Sequence, residues 1–162
     1  MKPTPPESGQ LLARGKEGSA VTYQYFCERD THLVDTTGYQ TRAKWCFIII
    51  EENDVFNFDL VDEEKFMRVE MMTRNECSRY KARGIPEAFI RLSHQIFKLP
   101  ICSSVRAQPQ PSSSGLATVT EQQSDDAKKV WSRLVATNEA YYDNEQRRFI
   151  YPIPENTGEM AA

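Results

Sequence analysis

Arg79-Tyr80-Lys81-Ala82-Arg83-Gly84-Ile85-Pro86-Glu87-Ala88 stands between two patterns of different period. Before it, Phe66 to Met72 reads as a strand. After it, Ile85, Ala88, Phe89, Leu92, Ile96 and Phe97 fall on one stripe of a helix running from Pro86 to about Phe97, with Glu87 off the stripe. Pro86 suits the first helical turn, where its missing N–H does no harm. The junction is therefore strand, basic glycine loop, helix N-terminus. Free N–H groups and the dipole at such a terminus favour an anion. Arg79, Lys81 and Arg83 strengthen that field. The loop reads as a phosphate or pyrophosphate cradle, or as a tight solvated turn in which Gly84 serves only the backbone.

Working back from the loop, three strands precede it. Trp45 to Glu51 is apolar on both faces and reads as a central strand. Asn53-Asp54 signals a hairpin, and Val55 to Val61 alternates with period two. Asp62-Glu63-Glu64 turns the chain into the strand at Phe66. These form an antiparallel meander. Further back, Ala20 to Cys27 is rich in β-formers, residues 30–44 are polar with a turn at Thr36-Thr37-Gly38, and residues 1–9 read as a flexible arm.

Working forward, Lys98 and Pro100 end the helix. Ile101 to Val105 reads as a short strand, parallel to the strand at Phe66 because a crossover helix separates them. Residues 106–123 form a polar insert. A second helix begins near Ser124, as N-cap, and turns Ala127, Val130, Trp131, Leu134 and Val135 inward. Ala140 to Asp143 and Arg147 to Pro152 form a last hairpin, and residues 154–162 a flexible tail. The expected fold is α/β (α+β): one domain, residues 10–153, with a mixed, mostly antiparallel sheet flanked by helices.

The chain has 162 residues, a net charge of -3 and 27% charged residues. No basic field argues for nucleic acid, and no apolar run is long enough for a bilayer. Without a signal-peptide core at the N-terminus, the expected location is cytoplasmic. Cys27, Cys46, Cys77 and Cys102 lack metal spacing, and only His32 and His94 could join them, so zinc is not expected. Cys46 reads as a small buried thiol. Cys102 is a candidate nucleophile with no histidine near it in sequence.

The order meander, basic glycine loop, helix, strand, helix, hairpin resembles the GCN5-related N-acetyltransferase superfamily over roughly residues 45–151. Lys81-Ala82-Arg83-Gly84-Ile85-Pro86 lies where that family has Gln/Arg-x-x-Gly-x-Gly/Ala. Gly84 matches and Lys81 stands in for the first position. Pro86 departs from the small last residue and removes one donor. Ser124-Asp125-Asp126-Ala127-Lys128-Lys129-Val130-Trp131 lies where the family has Asn-x-x-Ala-x-x-x-Tyr. Ala127 matches, while Ser124 and Trp131 replace the asparagine and the tyrosine. The resemblance implies acetyl-CoA as co-substrate. Arg79, Lys81, Ala82, Arg83, Gly84, Ile85 and Ser124 would bind it, and Met71 and Met72 would line a pantetheine channel or be plain core. Residues 30–44 are too short for the two helices that shape the family's acceptor site. That site is then open, or completed by a partner chain.

Acetyl transfer to an amine needs a base, an oxyanion donor and an acid for the departing thiolate. Glu70 is the leading candidate base, with Glu51 and Glu52 behind it. The backbone from Glu70 to Met72 would hold the thioester carbonyl, and a bulge there would open the cleft. Indole is a poor acid, so Trp131 cannot replace the tyrosine. Tyr141 is the chosen substitute, with Tyr142 and Tyr80 as others. Two further readings stand beside the enzyme. One is a domain of the same shape that binds without catalysis. The other is an interaction protein in which strand 20–27 pairs with a second chain as a homodimer, or is an ordinary edge strand.

Overall fold

Period-two alternation builds the first half of the molecule. In a computed structural model, describing residues 3–34, 37, 38, 40–74, 78–104 and 125–154, five strands form an antiparallel meander. They are β1 (Ser8–Arg14), β2 (Ala20–Leu33), β3 (Thr41–Glu51), β4 (Asp54–Asp62) and β5 (Met67–Arg74). Helix α1 (Ile85–Phe97) then leads to β6 (Ile101–Cys102), which runs parallel to β5. Helix α2 (Asp125–Ala136) and the hairpin β7 (Tyr141–Asp143) and β8 (Arg148–Tyr151) complete the described chain. The strand order is β1-β2-β3-β4-β5-β6-β8-β7, a mixed sheet with one parallel pair.

Both helices pack on the same face of this sheet. Leu11, Ala13, Tyr23, Tyr25, Phe47, Ile49, Phe56, Phe58 and Leu60 point to it from the meander. Phe89 of α1 stacks on Phe58 at 5.2 Å between ring centres and meets Tyr25 edge-on at 6.0 Å. Trp131 of α2 stacks on Phe149 of β8 at 6.0 Å. Burying one such ring contributes about 1.5–3 kcal/mol. Among the described residues no helix covers the opposite face, and none is long and apolar enough to cross a membrane.

Two ion pairs tie the helical layer together. Glu87 is 7% exposed and accepts from Arg133 of α2 at 2.6 Å, so it faces the second helix rather than solvent. Arg91 grips Glu139 with two bonds of 2.8 and 2.9 Å. That bond, with help from Thr137, holds the Glu139 carboxyl below its usual range. A depressed acid stabilises the fold above its unfolded pKa, and the contribution is lost as pH falls through the folded value. Glu139→Gln should therefore cost up to about 1 kcal/mol at neutral pH, discounted for the exposed Arg91. Urea titrations across pH should show the difference from wild type closing in acid.

Several expectations change. The arm is shorter than residues 1–9: Pro5 is buried, Glu7 accepts from the Cys27 N–H at 2.8 Å, and Ser8 already pairs with Phe26. Strand 20–27 is not an edge. β2 lies between β1 and β3, so its backbone is already paired and cannot recruit a second chain. Residues 30–44 are not all loop either. β2 reaches Leu33 and β3 starts at Thr41, forming one long hairpin. Its outer part is polar because cross-strand neighbours such as Asp30 and Lys44 hold it, not a core. The insert 106–123, the Ser124 cap and residues 155–162 lie outside the described residues.

Candidate functional site

Among the described residues β5 and β6 pair at Met67 with Ile101 and at Arg68 with Cys102. One step on, the Ser104 hydroxyl donates to the Val69 carbonyl at 2.9 Å, replacing a backbone rung. Ser103 stays with β8: its N–H donates to the Phe149 carbonyl, and its hydroxyl accepts from the Phe149 N–H. On the other side, β4–β5 register shifts so that Asp59 pairs with Met71 while Leu60 pairs with Val69. Glu70 is the extra residue of a β-bulge, next to the Val69 carbonyl that Ser104 engages.

Glu70 lies on the helix-free face and is not alone there. Its Oε1 is 3.3 Å from His32 Nδ1, and its Oε2 is 2.9 Å from Lys44 Nζ, an ion pair off the line of an ideal hydrogen bond. Lys44 also reaches Asp59 at 3.5 Å. Burial opposes the charge on Lys44, but Glu70 and Asp59 more than offset this and raise its pKa. Burial likewise pushes the Asp59 carboxyl up. β2 and β5 are separated by two strands, so a flat sheet would hold His32 roughly 14 Å from Glu70. Their contact therefore requires the end of the β2–β3 hairpin to curl over the helix-free face. This curl brings the hairpin end over the Glu70 side of the sheet without helices, a way of shaping the site that the two alternatives for residues 30–44 did not include.

His32 is the functional candidate that the sequence reading passed over except as a metal ligand. Its side chain is 21% exposed, and among the described residues its Nε2 has no partner. A ring held at Nδ1 by a carboxylate presents Nε2 as a base. The signal was the alternation Glu28, Asp30, His32, which continues β2 on one face. Its polarity looked like loop.

The glycine loop has more structural work than expected. Arg79 lies 3.2 Å from Asp54 and 3.6 Å from Glu52, and donates to the Glu51 carbonyl. Tyr80 is buried, with its hydroxyl on the Asp54 carbonyl and its ring against Tyr23 and Phe56. Glu51 and Glu52 thus belong to the turn that anchors the loop, and neither joins Glu70. Ala82, at φ 57°, accepts from the Lys16 N–H. Gly84 has φ 73°, and a Cβ there would run into the Arg14 carbonyl. Lys81 and Arg83 face solvent, while the Ile85 side chain is fully buried. The start of α1 therefore sits against the β1–β2 turn, and one flank of the cradle is a carbonyl oxygen.

The remaining candidates scatter. Met71 is 44% exposed on the helix-free face, whereas Met72 packs against the core on the other, so the pair does not line one channel. Tyr141 pairs with Ile150 on β7, three strand spacings or about 14 Å from β5, and is not brought to Glu70. Burial raises its pKa. Tyr142 packs edge-on to Phe149 in the core. Trp131 is core as well, and Ser124 is outside the described residues.

The three described cysteines are held as neutral thiols, and Cys77 lies outside the described residues. Burial pushes Cys27 and Cys46 up to about 12 and Cys102 to about 11; Asp59 adds to the effect at Cys46. Cys46 bonds Asp59, which makes it less apolar in role than its strand suggested. Iodoacetamide at pH 7.5 followed by peptide mass spectrometry should leave these three unlabelled in native protein and label them in urea. Rapid native labelling of Cys102 would restore it as a nucleophile candidate. No group of His, Cys, Asp and Glu able to hold a metal is found among the described residues. Comparison with protein-family models, curated proteins and solved structures returned no match.

Proposed function

We propose that the protein is an acetyl-CoA-dependent N-acetyltransferase acting in the cytosol on an amine acceptor. One observation carries the reading: a bulge in the strand before the basic loop turns Glu70 to the helix-free face, where it meets His32 and Lys44. In the superfamily that the order of elements resembles, this strand and the following loop bind the pantetheine arm and pyrophosphate. The thioester would lie along β5, with its carbonyl on the backbone beyond Val69. The amine would approach across the helix-free face.

His32 Nε2 would take the proton from the acceptor ammonium, with Glu70 holding the ring rather than acting as base itself. The free amine attacks the thioester carbon, the oxyanion is held by backbone N–H groups, and the C–S bond breaks. The second proton of the acylated nitrogen passes through water to the departing CoA thiolate, which leaves the amide and CoA thiol. Isothermal titration should detect acetyl-CoA and CoA binding in the micromolar range. Absence of heat at high micromolar concentration would sink the reading.

A second reading has its own support. Arg79 is engaged by Asp54 and Glu52, Gly84 faces a carbonyl, and Pro86 offers no donor. A domain that binds a partner without catalysis would tolerate all of these. Release of free CoA thiol with any of a panel of primary amines would exclude it.

A further inference from the structure

β1 is the outer strand of the meander, and one side of its backbone is open. The Glu7 carbonyl accepts from the Cys27 N–H, and the Gly15 N–H donates to the Ser19 carbonyl. Bonded pairs in an antiparallel ladder fall on every second residue. Gly9, Leu11 and Ala13 therefore bond β2, while Ser8, Gln10 and Leu12 turn their N–H and C=O groups outward. Among the described residues nothing pairs with those outward groups. The usual guards of a free edge are missing. No proline, bulge or charged side chain interrupts residues 8–13.

This edge fits a second copy of itself. Two β1 strands set antiparallel about a two-fold axis at Gln10 place Gln10 opposite Gln10, and Ser8 of each copy opposite Leu12 of the other. All three positions are bonded ones, so each outward N–H meets a carbonyl. The next rung would join Arg14 to Pro6, and it cannot form. Pro6 has no N–H, and the Arg14 carbonyl is covered by Gly84. The ends also set the direction. Glu7 and Arg14 are exposed, and neither has an ion-pair partner among the described residues. Antiparallel pairing brings Arg14 of one copy beside Glu7 of the other at both ends; parallel pairing would set like charges together. On the helix-free face, Leu12 is 59% exposed, and Phe26, the β2 neighbour of Ser8, is 44% exposed. Leu12 of one copy would lie beside the small Ser8 of the other, on the side toward Phe26, and both apolar groups would lose contact with water.

We propose that the protein forms a two-fold dimer through β1, joining two sheets into one. The dimer does not rest on the acetyltransferase reading. A strand of seven residues offers an edge of about 23 Å. Such a contact buries under about 1,200 Å² in total, the range of reversible association, so the dimer should come apart on dilution.

Sedimentation velocity of the full-length protein between about 1 μM and about 1 mM should show a monomer–dimer equilibrium. Gln10→Pro removes an outward N–H and spares the β1–β2 ladder. Leu12→Lys puts a charge on the edge, and covers the case in which the proline variant fails to fold. Each should weaken dimerisation about tenfold or more, with the thermal midpoint at low concentration within about 2 °C of wild type. Cysteine pairing reads the register, because bonded partners lie about 5.5 Å apart at Cα, within disulfide reach. With oxidised glutathione as oxidant, Gln10→Cys should link to its own copy at position 10, as identified by peptide mass spectrometry. Ser8→Cys and Leu12→Cys should each fail to link alone and should link when mixed. A strict monomer across the range, a dimer unchanged in both Gln10→Pro and Leu12→Lys, or a link through Cys77 in place of position 10 would overturn the dimer. Dimerisation without acetyl-CoA binding would leave this interface standing and remove the acetyltransferase.

Discussion

Gly84→Ala should lower the unfolding free energy by about 3–5 kcal/mol, among the largest effects a single methyl can have here. Two costs combine. Gly84 has φ 73°, a left-handed conformation that costs an L-residue roughly 1–2 kcal/mol. The added Cβ also meets the Arg14 carbonyl, which is backbone and cannot swing away. Relief requires moving the β1–β2 turn, and with it the Lys16 to Ala82 bond. At about 2–4 °C per kcal/mol for a chain of this size, the thermal midpoint should fall by roughly 10 °C. Urea unfolding followed by circular dichroism measures this. A change under about 1 kcal/mol would mean that α1 does not start against β1. The same geometry makes Gly84→Glu a poor probe of phosphate binding, because lost binding would follow from lost fold.

His32→Gln should reduce the rate of acetyl transfer by about 10²–10⁴-fold, the usual contribution of a positioned general base. Acetyl-CoA affinity should be unchanged, because His32 stands beside Glu70 and not on the glycine loop. Glu70→Gln should also lower kcat, through the ring that Glu70 holds. Imidazole ¹⁵N shifts separate the two roles. In the wild type, Glu70 should stabilise the Nδ1–H tautomer, leaving Nε2 as acceptor. In Glu70→Gln that preference should weaken. If His32→Gln keeps full activity while Glu70→Gln loses it, the carboxylate itself is the base. If neither variant changes kcat, the proton leaves by another route.

The sequence carried the fold wherever one period held over a segment with a covered face. Val55 to Val61, the helix from Pro86 and the final hairpin were legible because apolar side chains marked the inward positions. The parallel placement of β6 followed from the crossover helix alone. Three features were not legible. β1 hid in a short alternation, Leu11 and Ala13, next to prolines. The outer β2–β3 hairpin hid because its ladder is charged. Both helices falling on one face depends on pairings such as Glu87 with Arg133, which connect residues far apart in sequence.

At the site, local pattern found Glu70 but not its partners. His32 and Lys44 reach Glu70 through sheet curvature and strand order, neither of which is written in any short window. The loop at 79–84 shows the converse. Its composition suits an anion, yet Asp54, Glu52 and the Arg14 carbonyl, all distant in sequence, use much of that potential for structure. Charge in a loop reports a ligand only after its neighbours have been counted.

The β5 backbone beyond Val69 as the seat of a thioester is best tested by a crystal structure of the protein with acetyl-CoA. The predicted result places the thioester carbonyl within hydrogen-bond distance of the β5 backbone just beyond Val69, with the acetyl group facing His32 and Glu70. A β5 strand without bound cofactor at saturating acetyl-CoA, or the cofactor bound elsewhere on the surface, would contradict it.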